Sequence, residues 1–170
     1  MIKIIGAKGN IQDVDDFLKK VESFASKNSL RIQALNADLI YGKDHIISAV
    51  EHANRSIDRK TNTTNSLEKE ILLYASGERQ LKLAIPKMGV RKGTANIAFV
   101  ILNEAKRKIP ENIANDLLKY LDLEKDDIVL EGNIDTLNKF GINENETKTV
   151  TKSKYGYLIL EKVAMVDIIK

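Results

Sequence analysis

TANIAFVIL, residues 94–102, is rich in β-branched and aromatic side chains and is bounded by Gly93 on one side and charged residues on the other. A run of that length and composition reads as a buried strand, since such side chains suit a pleated surface closed off from water. Two further stretches can pair with it. MIKIIGA, at the N-terminus, alternates through Ile2 and Ile4 and runs into Gly6 and Gly9, which predicts a first strand. Arg31 to Leu35 predicts a second. Gly6-Ala7-Lys8-Gly9 then reads as the turn that leads from strand to helix.

Helical periodicity fills the rest. Ile11, Val14, Phe17, Leu18, Val21, Phe24 and Ala25 recur at steps of three and four, behind carboxylates at Asp13, Asp15 and Asp16 that suit the positive end of a helix dipole. A helix over about 43–57 turns Ile46, Ile47, Val50, Ala53 and Ile57 to one side, and the polar run 58–65 (DRKTNTTN) reads as a solvated loop. Asn65 and Glu68 have the spacing of an N-cap and its N3 partner, and Gly77 suits the C′ position of the helix between them. RQLKLAIPKMG predicts a short helix limited or kinked by Pro86. Beyond Pro110, helices are expected around Ile113–Leu121 and Ile134–Phe140, with a strand or turn at Ile128–Leu130.

The alternation of strands and helices predicts an α/β chain with one globular domain over 1–142. Residues 143–154 (NENETKTVTKSK) read as a polar linker, and 155–170 as an apolar helix that packs on the domain or on a partner. Leu158, Ile159, Val163 and Val166 are the side chains expected to form a partner-facing patch, the alternative being that they cover their own domain.

With 170 residues, 43% hydrophobic and 30% charged, the composition is that of a soluble globular protein. No apolar run approaches the roughly 18 residues that span a bilayer, and no secretory signal opens the chain, which predicts a cytoplasmic protein. The absence of cysteine excludes disulfides, thiol nucleophiles and thiolate metal sites. Net charge is +3, but nine basic and four acidic residues fall between Arg55 and Lys92. An excess of that kind suits a polyanion or is simply a solvated face.

Signals for catalysis are thin. His45 and His52 stand seven apart on one expected helix, whereas helical metal ligands sit three or four apart, so His45 reads as a helix-start side chain and His52 as a surface one. Nucleotide-binding glycine signatures are absent, although Gly6–Gly9 and Gly89–Gly93 hold lysine or arginine between glycines. No cofactor or metal is expected.

The segment from Asn36 to Leu102 resembles the small kinase-associated regulatory subunit of the KEOPS complex. The resemblance is carried by Asn36-Ala37-Asp38, by Gly42 with His45, by Glu70-Ile71-Leu72-Leu73-Tyr74-Ala75-Ser76-Gly77, and by Glu78-Arg79-Gln80 followed by Ala84-Ile85. Val163-Ala164-Met165-Val166-Asp167 is similar to that family's ending. It implies helices packed on a small, mainly antiparallel sheet and no catalytic activity. It also implies a small atypical kinase-ATPase as partner, and capture of tRNA through its single-stranded 3′ end for threonylcarbamoyl-adenosine synthesis.

On that resemblance the expected RNA contacts are Arg55, Arg59 and Lys60 for phosphates, with Asn65, Arg79, Gln80 and Lys82 for sugars or bases. Glu78-Arg79-Gln80 could instead be a hydrogen-bond network at a helix end. Two other readings compete: a purely protein-binding regulatory module of a kinase, and a small enzyme acting on a phosphorylated metabolite.

Overall fold

The computed structural model describes every residue except Glu104, Lys106 and Lys170. Four strands are described: β1 (Ile2–Ile11), β2 (Arg31–Asn36), β3 (Gly93–Leu102) and β4 (Glu124–Lys125). The helices are α1 (Val14–Lys27), α2 (Gly42–Asp58), α3 (Leu67–Ser76), α4 (Leu81–Met88), α5 (Ile113–Leu121), α6 (Ile134–Phe140), α7 (Glu144–Thr147) and α8 (Tyr155–Ile169). Short 3-10 turns lie at Ala37–Leu39, Asp127–Leu130 and Lys152–Lys154. The class is α+β. The chain divides into two units, each made of two separated stretches: Met1–Ala37 with Val90–Leu130, and Asp38–Gly89 with Glu131–Lys170.

The first unit is the sheet. Its strand order is β2-β3-β1-β4, and every pairing is antiparallel, with Ile2 opposite Leu102 and Arg31 opposite the same residue from the other side. Ile97 to Leu102 are all buried, which is why this strand reads as a continuous apolar run rather than an alternating one. Ile5, Ala7 and Ile11 of β1 join Ile97, Phe99 and Ile101 of β3 in a core closed by Phe17, Val21 and Phe24 of α1 and Ile113, Leu117 and Leu118 of α5. Phe17 meets Phe99 with ring centroids 6.4 Å apart. Asp13 caps α1, its Oδ1 accepting from the Asp16 amide at 2.8 Å.

Gly6 and Gly9 do not form the expected turn. They lie inside β1, opposite Ala98 and Ala95 of β3. A Cβ on Gly6 would stand 2.3 Å from the Asp126 carbonyl oxygen, and one on Gly9 2.4 Å from the Leu123 side chain. These glycines let the 122–129 segment approach the strand closely.

The second unit is helical. Its α2 and α3 are antiparallel: His45 at the start of α2 meets Ala75 at the end of α3, and Ser56 near the end of α2 meets Glu70 near the start of α3. On this pair lies α8, with Ile159, Val163 and Val166 fully buried. The cap of α3 is Ser66 rather than Asn65, its hydroxyl oxygen facing the Lys69 amide and its proton going to Glu68 at 2.6 Å. Gly77 closes α3 in the left-handed conformation, φ +69°. Pro86 sits inside α4, which ends two residues later at Met88.

Residues 143–154 hold α7 and a 3-10 turn. Asn143 and Glu146 cap α7 reciprocally, and Glu146 Oε1 receives a hydrogen bond of 2.6 Å from Lys162 of α8. That bond, with the Asn143 amide, holds the Glu146 carboxyl below its ordinary pKa.

Candidate nucleic-acid and partner surfaces

All seven expected RNA contacts belong to the helical unit, and all seven are exposed. None of their side chains has a hydrogen bond or ion pair among the described residues. The fold brings them together in two groups rather than one. Arg55, Arg59 and Lys60 are at the C-terminal end of α2, with Asn65 across the loop just ahead of α3. Arg79, Gln80 and Lys82 are at the other end of α3, where Gln80 is the first-flanking residue of α4. Ten residues of α3 separate the groups, a span of about 15 Å.

The other cations of the basic stretch are placed differently, with Lys69 exposed on α3 itself. Lys87 pairs with Glu78 at 3.2 Å and stands over the Phe140 ring, 4.2 Å from its centroid. Arg91 and Lys92 belong to the sheet unit. Beside Arg79, Gln80 and Lys82, the exposed side chains of α4 are apolar: Leu83 is 48% and Ile85 53% exposed. The helical period could have revealed them, since Ala84 and Met88 mark the buried side.

The polar loop between α2 and α3 is built on a buried carboxylate. Glu70, with no exposed surface, accepts from the amides of Thr63 (2.8 Å) and Thr64 (2.6 Å) through Oε1, and Ser56 donates to its Oε2 at 3.1 Å. Asn62 adds a side-chain bond of 2.8 Å to the Thr64 carbonyl, and the Thr61 amide donates to the Ser56 carbonyl at 2.8 Å. Lys60 enters this loop at φ +58°.

Leu158, Ile159, Val163 and Val166, expected as a partner-facing patch, are buried in the isolated chain, the last three completely. They occupy the side of α8 turned towards α2 and α3, and so cover their own unit. The opposite side of α8 is largely apolar as well: Tyr157 (64% exposed), Leu160, Ala164 and Ile168 (74% exposed) follow at steps of three and four, with Met165 at their edge and the exposed Glu161 among them. Asp167 anchors the helix. Its carboxylate receives the Tyr74 hydroxyl at 2.5 Å and meets His52 Nδ1 at 2.7 Å, tying α8 to both α3 and α2.

His52 is therefore half-buried rather than a surface side chain, and His45 is completely buried. Among the described residues, no group of three or more His, Asp or Glu is placed to hold a metal ion. Two open clefts of ≈ 650 and ≈ 460 Å³ lie in the helical unit, and neither is lined by residues 6–9 or 89–93. No described helix is long and apolar enough to cross a membrane.

The family model described as kinase binding protein CGI-121 matches residues 9–166 and so takes in both units. The regulatory protein Cgi121 of Methanocaldococcus jannaschii is 32% identical over 146 residues, covering 83% of this chain and 86% of that protein. The chain belongs to the CGI-121 family of kinase binding proteins.

Proposed function

We propose that this chain is a non-catalytic regulatory subunit of a complex that makes threonylcarbamoyl-adenosine in tRNA. It docks on the small atypical kinase-ATPase subunit of a KEOPS-type assembly and recruits tRNA by its single-stranded 3′ end, in the cytoplasm. The observation that carries this reading is the coexistence, in one helical unit, of an unpartnered apolar helix face and two groups of exposed polar and cationic side chains. The family's description as kinase-binding and the relative's name as a regulatory protein support the first half.

The kinase-like partner covers Tyr157, Leu160, Ala164 and Ile168 of α8, which then becomes buried on both sides. The RNA divides its contacts. Arg55, Arg59 and Lys60 meet backbone phosphates, where cations contribute salt-dependent affinity without sequence preference. The α3–α4 corner takes the 3′ end: Arg79, Gln80 and Lys82 offer donors to sugars and bases, and Leu83 and Ile85 offer apolar surface to unstacked bases.

The test compares intact tRNA with the same tRNA lacking its single-stranded 3′ tail, across a salt series. Tail-dependent binding, weakened by Arg79→Ala, is the expected result. Equal binding to both RNAs, or none at low salt, would leave a purely protein-binding module of the kinase.

A further inference from the structure

Glu70 is a carboxylate with no exposed surface, and burying such a group costs several kcal/mol unless hydrogen-bond donors surround it. Among its donors are the backbone of the loop that joins α2 to α3, through the Thr63 and Thr64 amides on one oxygen, and the Ser56 hydroxyl on the other. That loop contains no apolar residue from 58 to 65, so no hydrophobic burial of its own fixes its shape. Hydrogen bonds fix it: those to the carboxylate below, with the Thr61 and Asn62 bonds beside them. On either side of the clamped residues stand Arg59 and Lys60 before and Asn65 after, all exposed.

We infer that Glu70 is a positioning residue for RNA: it sets the loop so that Arg59, Lys60 and Asn65 meet successive groups of one nucleic-acid backbone. The inference rests on the tRNA reading proposed above and adds to it the residue that organises the phosphate-facing end. A flexible loop would pay the ordering entropy on binding, whereas a loop already held by Glu70 has its cations in place before the RNA arrives. Oε1 can accept both amides only as an oxygen. In Glu70→Gln the NH2 group can take the Oε2 place and donate to the Ser56 hydroxyl, which then turns its proton to the Ala53 carbonyl, but the neutral oxygen left to the Thr63 and Thr64 amides accepts more weakly than a carboxylate, so the clamp is loosened with little change in side-chain volume.

The experiment measures binding of full-length wild type, Arg59→Ala, Glu70→Gln and Ser56→Ala to intact tRNA over a salt series, with amide NMR signals of Thr63 and Thr64 as the local readout. Glu70→Gln is expected to shift both amide signals, weaken binding about tenfold, and flatten the dependence of log affinity on log salt by about one unit. A merely structural role would leave that slope alone. Wild-type affinity and slope in Glu70→Gln, with the amides shifted and Arg59→Ala weakened, overturn the inference while leaving the tRNA reading in place. No binding by wild type overturns both. If Glu70→Gln does not fold, Ser56→Ala decides: weaker binding with a flatter slope supports the inference, and unchanged binding overturns it.

Discussion

The imidazole of His45, in the first turn of α2, lies with Nε2 2.8 Å from the carbonyl oxygen of Ala75 in the last turn of α3. Its Nδ1 accepts from the Tyr41 amide at 3.2 Å, so Nε2 must carry the proton and donate to Ala75. The ring thus joins the N-terminal end of one helix to the C-terminal end of its antiparallel neighbour, with Phe140 edge-on at 5.6 Å.

Acid is expected to loosen this joint. Burial pushes the His45 pKa down from 6.5 to about 4, opposed by the Ala75 carbonyl and assisted by Lys87. The unfolded chain therefore binds a proton between those values that the folded chain does not, and stability falls as pH drops from 6.5 through about 4. The loss across that window is about 3 kcal/mol. Urea unfolding at a series of pH values checks it. Removing the titrating ring with His45→Gln should flatten the profile in that window, at lower stability throughout.

Tyr41, just ahead of α2, has its ring against two glycines of the same unit. A Cβ on Gly132 would fall 2.2 Å from Tyr41 Cδ2, whereas one on Gly156 would stand at an ordinary 3.5 Å. Gly132→Ala is expected to cost about 1–3 kcal/mol by forcing the ring aside, and Gly156→Ala far less. Thermal unfolding of the two variants tests the contrast; equal losses would contradict it.

How much of this could be read from sequence depended on where each constraint comes from. The extents of α1, α2 and α6 follow from the pattern within each segment, and that of β3 from an apolar run bounded by Gly93 and charged residues, so each is legible to within a few residues. Gly6 and Gly9 were misassigned to a turn because their reason is the 122–129 segment, more than a hundred residues away, lying against β1. The cap at Asn143 with Glu146 was legible in its spacing, but the surrounding polarity masked it. The division into two discontinuous units was illegible, since it depends on α6, α7 and α8 returning to α2 and α3. For the site, the side-chain types and their exposure were legible in the seven polar residues, but not their division between two ends of α3. Glu70 is legible only as part of the string that carries the resemblance, and not as the anchor of the loop, because a buried carboxylate and a solvated one are written with the same letter.

The two ends of α3 should be separable by mutation. Arg59→Ala is expected to weaken binding of intact and 3′-trimmed tRNA alike and to reduce the salt slope by about one. Arg79→Ala should weaken the intact tRNA while leaving the trimmed one nearly unchanged. Filter binding or anisotropy with both RNAs checks this, and identical profiles for the two variants would count against two separate contacts.

Opposite faces of α8 should likewise answer different assays. Ile159, fully buried towards α2 and α3, contributes to the unit itself, and Ile159→Ala is expected to destabilise the chain by about 3 kcal/mol. Ile168, 74% exposed on the far face, makes no such contribution in the isolated chain, so Ile168→Glu should leave unfolding nearly unchanged. It should nonetheless abolish capture of the kinase-like subunit, because docking would then bury an unpaired carboxylate in an apolar contact. Calorimetry on the free chain and titration with the purified partner read the two quantities independently. The same contrast explains why the sequence alone leaves both placements of these side chains open, on the domain or on a partner: with apolar residues on nearly every side of the helix, periodicity gives too little polar side from which to tell inside from outside.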